Sequence, residues 1–200
     1  MTMATTAGDP RADDLLAVWF ADGPDAIRKL WFRKDDAFDA TLRERFGDLL
    51  APAREGALDA WAVSPRGALA LALLLDQLPR NLHRGDAAAF ASDPAALRLA
   101  RRAVLERRLD LRLTATERVF LYLPFEHSEA LADQHLCVAL CEGALRDHPA
   151  HAAPGSTIEY AWRHRAVVAR FGRFPHRNAV LGRDTTPEEA AFLGAHPLGF

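Results

Sequence analysis

Lysine is almost missing from this chain: of 25 basic residues only Lys29 and Lys34 are lysine, so arginine is the default cation and no single arginine carries meaning alone. Cysteine is equally scarce. Cys137 and Cys141 stand four apart, and neither CxxC nor HExxH occurs, which leaves two sulfurs without the four ligands that structural zinc takes. They read as small buried apolar residues on one helix face. The longest apolar run, Ala68 to Leu75, falls far short of the roughly 20 residues that span a bilayer. β-branched residues are sparse and no Asn-Gly or Asp-Gly turn separates alternating runs, so strands have no support. A Gly-rich phosphate loop is missing too, and nothing calls for a cofactor or a metal.

What is present is helical punctuation and a large core. Half of the 200 residues are hydrophobic, enough for one substantial domain. Met1 to Pro10 is small and polar, without a basic region followed by an apolar run. It reads as a tail and not a signal peptide, giving a division into a disordered tail over 1–12 and one domain over 13–200 in a cytoplasmic protein. Ser64-Pro65 and Asp93-Pro94 each place a cap before a proline at the first helical position. Thr114 with Glu117, Ser156 with Glu159 and Thr186 with Glu189 have capping-box spacing. Apolar periodicity adds helices at about 13–21, 24–32, 36–60 with a break near Pro52, and 128–147. The class is all-α. Trp19-Phe20, Trp31-Phe32 and Trp61 are expected in its N-terminal core. His148 and His151, with Pro149 between them and Ala-Ala-Pro-Gly following, read as a mobile, solvated loop pair.

Polar chemistry collects in three places. The all-apolar helix from about 65 runs abruptly into Asp76-Gln77-Leu78-Pro79-Arg80-Asn81, where Pro79 disrupts the ladder and buried polar groups require partners. A second junction is Pro124-Phe125-Glu126-His127-Ser128-Glu129 with Asp133-Gln134. Pro124 should end or kink its helix, Ser128 can cap the next, and Glu129 or Asp133 can orient His127 for acid-base work. The third is Phe171 to Arg183, where Arg173, Arg177, Arg183, His176 and Asn178 lie within eleven residues, beside Gly172 and Pro175. Arginine forks grip carboxylate or phosphate, and histidine carries a proton near neutral pH.

Together the three blocks resemble the signature of a bacterial domain-of-unknown-function family, number nine hundred and twenty-four. The Trp19-Phe20 and Trp31-Phe32 pairs and the Thr186-Pro187-Glu188-Glu189 helix start fit it as well. The resemblance spans about residues 13–193, with Leu78 standing where phenylalanine is expected. It implies a tetratricopeptide-like superhelix of stacked antiparallel helices and no settled activity, although no 34-residue repeat is visible in the chain itself.

Two readings follow. In the first, the junctions converge on a site for a small anionic molecule: Arg173, Arg177 and Arg183 hold the anion with Arg80 as a fourth contact, and His127 and His176 move protons. Glu129 or Asp133 then orients a histidine, and Gln77 or Asn178 fixes a neutral polar group. In the second, Gly172 ends a helix over 157–170 in the left-handed conformation and the arginines tie the fold together, leaving a helical scaffold that binds protein. Most guanidiniums would then be paired internally. His164, two turns before the loop, reads as a satisfied, partly buried histidine, and Tyr160 and Trp162 as possible pocket walls. Nucleic acid is an unlikely partner, because net charge is −2 and the arginines from 98 to 112 are interrupted by Glu106 and Asp110 with no aromatic residues between.

Overall fold

The structure is a computed structural model that describes residues 9–146 and 148–196. Among them there are helices and turns and no strand. Helix α1 (Pro10–Trp19) begins three residues before the expected boundary, because the Asp9 side chain accepts from the Arg11 amide and Pro10 occupies the first turn. The segment around 24–32 is only a 3₁₀ turn, Lys29–Phe32. Helices α2 (Asp36–Phe46) and α3 (Leu50–Arg54) are separated at Gly47–Leu49, ahead of Pro52.

Helix α4 (Pro65–Ala72) is the central rod, with Ala68, Leu69, Ala70 and Leu71 fully buried. Each such leucine contributes about 2 kcal/mol through removal from water. Ser64 caps it by accepting from the Gly67 amide at 3.0 Å. Pro79 does not terminate the rod. Instead the helix widens into a π segment over Leu73–Gln77, in which the Leu78 amide reaches back to the Leu73 carbonyl, and it resumes as α5 (Leu78–Leu82). A proline removes one helical donor and crowds the carbonyl four residues earlier, and the wider turn accommodates both. Asp76 and Gln77 therefore sit on an irregular turn inside the core.

Helix α6 (Asp93–Ala100) leads into a second π segment, Arg101–Glu106. Helix α7 (Ala115–Glu126) has the Thr114–Glu117 capping box and runs through Pro124 to Glu126, since Phe120, Tyr122 and Phe125 are buried on it and their packing outweighs the lost backbone bond. Helix α8 (Leu131–Leu145) packs against α7 on one side and α10 (Thr157–Phe171) on the other. Cys137 and Cys141 are buried on α8. The short α9 (Pro149–Ala152) lies between α8 and α10, and α11 (Pro187–Ala195) starts at the Thr186–Glu189 box.

Several local expectations change. The Ser156–Glu159 box does not form: Ser156 Oγ donates to the His151 carbonyl, and Glu159 accepts from the Gly155 amide. His151 is not solvated but 2 % exposed, bonded through Nδ1 to Thr157 and through Nε2 to Thr116. Phe32 is exposed while Trp19, Phe20, Trp31 and Trp61 are buried. Helices of fifteen residues beside helices of five, with 3₁₀ and π segments between, do not mark out equal repeats. Among the described residues no helix is long and apolar enough to cross a membrane.

Candidate functional site

The three polar junctions meet. His127, at the end of α7, places Nδ1 2.7 Å from Oδ1 of Asp76 on the π turn. Arg177, in the 3₁₀ turn Pro175–Arg177 that follows α10, donates to the His127 carbonyl at 3.1 Å. Arg80, one turn after Asp76, donates to Asp93 through both Nη atoms at 2.8 and 3.0 Å, and Arg177 reaches the same carboxylate at 3.2 Å. Asp93 looks like an N-cap in the sequence, but Ser92 occupies that position and the Asp93 side chain is turned to the two guanidiniums. The segment signal, an aspartate before a proline, is the same for both roles.

Arg80, His127 and Arg177 line an open cleft of about 370 Å³ with Arg84, Phe90, His164 and His176. The Phe90 ring is a wall for the cations: the Arg177 guanidinium lies 4.6 Å from its centre and 4.7 Å from that of Phe174, and Arg80 lies 5.6 Å from Phe90. A cation on an aromatic face is held without using its N–H donors. A guanidinium carries five donors. Arg80, Arg84 and Arg177 each commit only some of them to their own chain.

The carboxylate that orients His127 is Asp76 and not Glu129 or Asp133. Glu129 accepts from the Phe174 amide at 2.7 Å and from both Nη atoms of Arg183 at 2.8 and 3.1 Å. Asp133 is buried between Ser128 and Arg101. Gln77 donates to Asp76 Oδ2 at 2.6 Å, so its amide fixes the carboxylate and not a ligand. Arg173 forks onto Glu189, and Asn178, fully buried, donates to Thr185 and Glu189. Glu189 thereby ties the loop to α11, accepting from the Thr186 amide as well. Arg173, Arg183 and Asn178 thus bond within the fold and do not line the cleft, and Gly172 ends α10 at φ 69° as the structural reading expects. Arg80, Arg177, His127 and His176 remain on the cleft, joined by Arg84 and Phe90, which no motif singled out. Tyr160 and Trp162 are exposed and do not line it.

The electrostatics separate the histidines. Burial alone would raise the Asp76 carboxyl, but His127 and Arg80 beside it hold it well below the usual carboxylate range. Burial lowers His176 to about 4, with Arg177 adding to the effect. His164 is also lowered by burial, opposed by Glu126 at 3.5 Å. Burial brings Arg177 down to about 10, so it stays charged at neutral pH. With Nδ1 of His127 engaged by an ionised Asp76, Nε2 is the nitrogen left for proton exchange. Among the described residues no cluster of three or more His, Cys, Asp or Glu is placed to hold a metal ion.

Residues 15–196 match the model of a bacterial family described as a bacterial protein of unknown function, DUF924. The chain belongs to that family. A solved structure of a protein of unknown function from Agrobacterium tumefaciens is 42 % identical, with a TM-score of 0.80 over 91 % of this chain and 96 % of that one. No curated protein matches the chain.

Proposed function

We propose that this DUF924 protein binds a small anionic ligand, carboxylate or phosphate, in the cleft between Arg80, Arg84, His127 and Arg177, and that His127 acts there as an acid-base group. The observation that carries the reading is the 2.7 Å pairing of His127 with the buried Asp76 at the edge of an open cleft. A carboxylate behind one imidazole nitrogen fixes the ring and readies the other for proton transfer, and guanidiniums beside it supply charge-assisted donors to an anion. Compared with the sequence reading, the anion-holding group keeps Arg80 and Arg177, loses Arg173 and Arg183, and gains Arg84.

The test is thermal stability against phosphorylated and carboxylated metabolites for the wild type, Arg84→Ala and His127→Gln. A ligand at a hundred times its Kd raises stability by about 2.7 kcal/mol. The reading expects a hit with the wild type that is weakened in Arg84→Ala. A hit that both variants retain unchanged places the ligand elsewhere, and the absence of any hit across both classes counts against an anion site.

A further inference from the structure

Each guanidinium lining the cleft is already paired with a carboxylate among the described residues. Arg80 and Arg177 share Asp93, Arg80 also lies 3.5 Å from Asp76, Arg84 holds Asp39, and His164 lies 3.5 Å from Glu126. Among the described residues three guanidiniums therefore face four carboxylates: with its imidazoles neutral, the site as described has an excess of one negative charge. Glu129 and Arg183 next to it cancel each other. The N–H donors point to an anion, whereas the charge balance opposes a large one. Adding a dianion to a partly buried site with no spare positive charge is costly, since interactions there are weakly screened.

Resting on the anion-site reading above, we propose that the cleft takes a monocarboxylate together with one proton, carried by His127, in preference to a phosphate dianion. The entering charge and the entering proton cancel. On His127 the proton completes a chain: Nδ1–H donates to Asp76 Oδ1 and Nε2–H to the ligand carboxylate, while Arg84 and Arg177 supply further donors. The groups facing His127 are Asp76 and Arg80 from the π turn and α5, His164 from α10, and His176 and Arg177 from the turn after it. Glu126 and Glu129 flank it in its own segment, and Asp93 acts through the two arginines.

The experiment is calorimetric titration of the wild type with phenylacetate and with phenyl phosphate at about pH 7.5, where a phosphomonoester with a second pKa of about 6 is a dianion. Each titration is run in Tris and in HEPES, whose different ionisation enthalpies reveal proton uptake. Phenylacetate is expected to bind at least about ten-fold more tightly. It should take up close to one proton per ligand, and His127→Gln should abolish the uptake. Tighter binding of phenyl phosphate, or binding of phenylacetate without proton uptake, overturns the monocarboxylate assignment and leaves the anion site standing. Failure of both probes to bind overturns the two together. The buffer comparison is made on the wild type, so a misfolded variant does not obscure it.

Discussion

Asp76 and His127 are 51 residues apart in sequence and share a 2.7 Å hydrogen bond, with Asp76 on a π turn and His127 at the end of a helix that runs through a proline. Each irregularity serves the contact: the wide turn presents a polar side chain from the middle of an apolar rod, and α7 reaches His127 because Pro124 does not stop it. Asp76→Asn removes the charge and leaves His127 and Arg80 without their buried acid, which should cost about 3 kcal/mol in urea unfolding. The pH sign follows from the direction of its shift. A carboxyl whose folded pKa is depressed stabilises above its unfolded value of 3.8 and loses that contribution as pH falls through the folded value. The gap between wild type and Asp76→Asn should therefore be full at about pH 6 and shrink below about pH 4.

Two arginine classes should separate in one experiment. Arg173 and Arg84 look alike in the sequence and each is forked onto a carboxylate, Arg173 onto Glu189 and Arg84 onto Asp39, but of the two only Arg84 borders the cleft. Arg173→Ala should lower the melting temperature and leave the affinity for phenylacetate unchanged in the folded fraction. Arg84→Ala should weaken binding by about ten-fold, the cost of one charge-assisted contact, and lower the melting temperature as well, because the buried Asp39 loses its fork. Equal effects of the two on affinity would return Arg173 to the site.

How far the sequence reaches is clear from individual residues. The capping boxes at Thr114 and Thr186 and the Ser64-Pro65 start are local devices, and local signals suffice to place them. The all-apolar run Ala68 to Leu75 is legible because nothing but burial suits it. Asp93, by contrast, has a local interpretation that is chemically sound and gives way to one involving partners at positions 80 and 177. Arg84 and Phe90 belong to no recognisable pattern, and only the folding of residues 76–93 over the end of α7 brings them to the cleft. Glu129 and Asp133 fail as partners of His127 for a related reason: Arg183 and Arg101, distant in sequence, compete for them.

Acid should weaken the fold through His151. Its ring is enclosed with both nitrogens bonded to threonine hydroxyls on α7 and at the start of α10, and burial lowers its pKa from 6.5 to about 4, with His148 adding to the effect. A histidine buried in its neutral form takes up its proton on unfolding, so the unfolded chain binds more protons between those two values and stability falls as pH drops from 6.5 towards 4. One fully linked proton is worth about 1.4 kcal/mol per pH unit. His164 and His176 act in the same direction, so the part due to His151 is read from His151→Gln. In urea titrations at about pH 7 and about pH 5, the variant should be less stable than wild type at the higher pH and lose less of its stability on acidification. An unchanged pH slope in the variant would show that His151 is not the group responsible.

Two glycines on helices should respond with opposite signs to the same methyl group. At Gly67, in the first turn of α4, an added Cβ would come within 2.0 Å of the Trp61 carbonyl oxygen and 2.8 Å of its carbon. Both are backbone atoms of the 3₁₀ turn Asp59–Val63 that packs on α4, and neither can rotate away. Gly67→Ala must therefore separate the central rod from that turn, at a cost of about 1–3 kcal/mol for overpacking. At Gly143, inside α8, an added Cβ meets nothing within 4 Å. There alanine restricts only the unfolded chain and favours the helix, so Gly143→Ala should stabilise by roughly 0.5–1 kcal/mol. Chemical denaturation of the two variants beside wild type checks both signs. A neutral Gly67→Ala would show that the approach of the Trp61 turn to α4 is looser than its geometry requires.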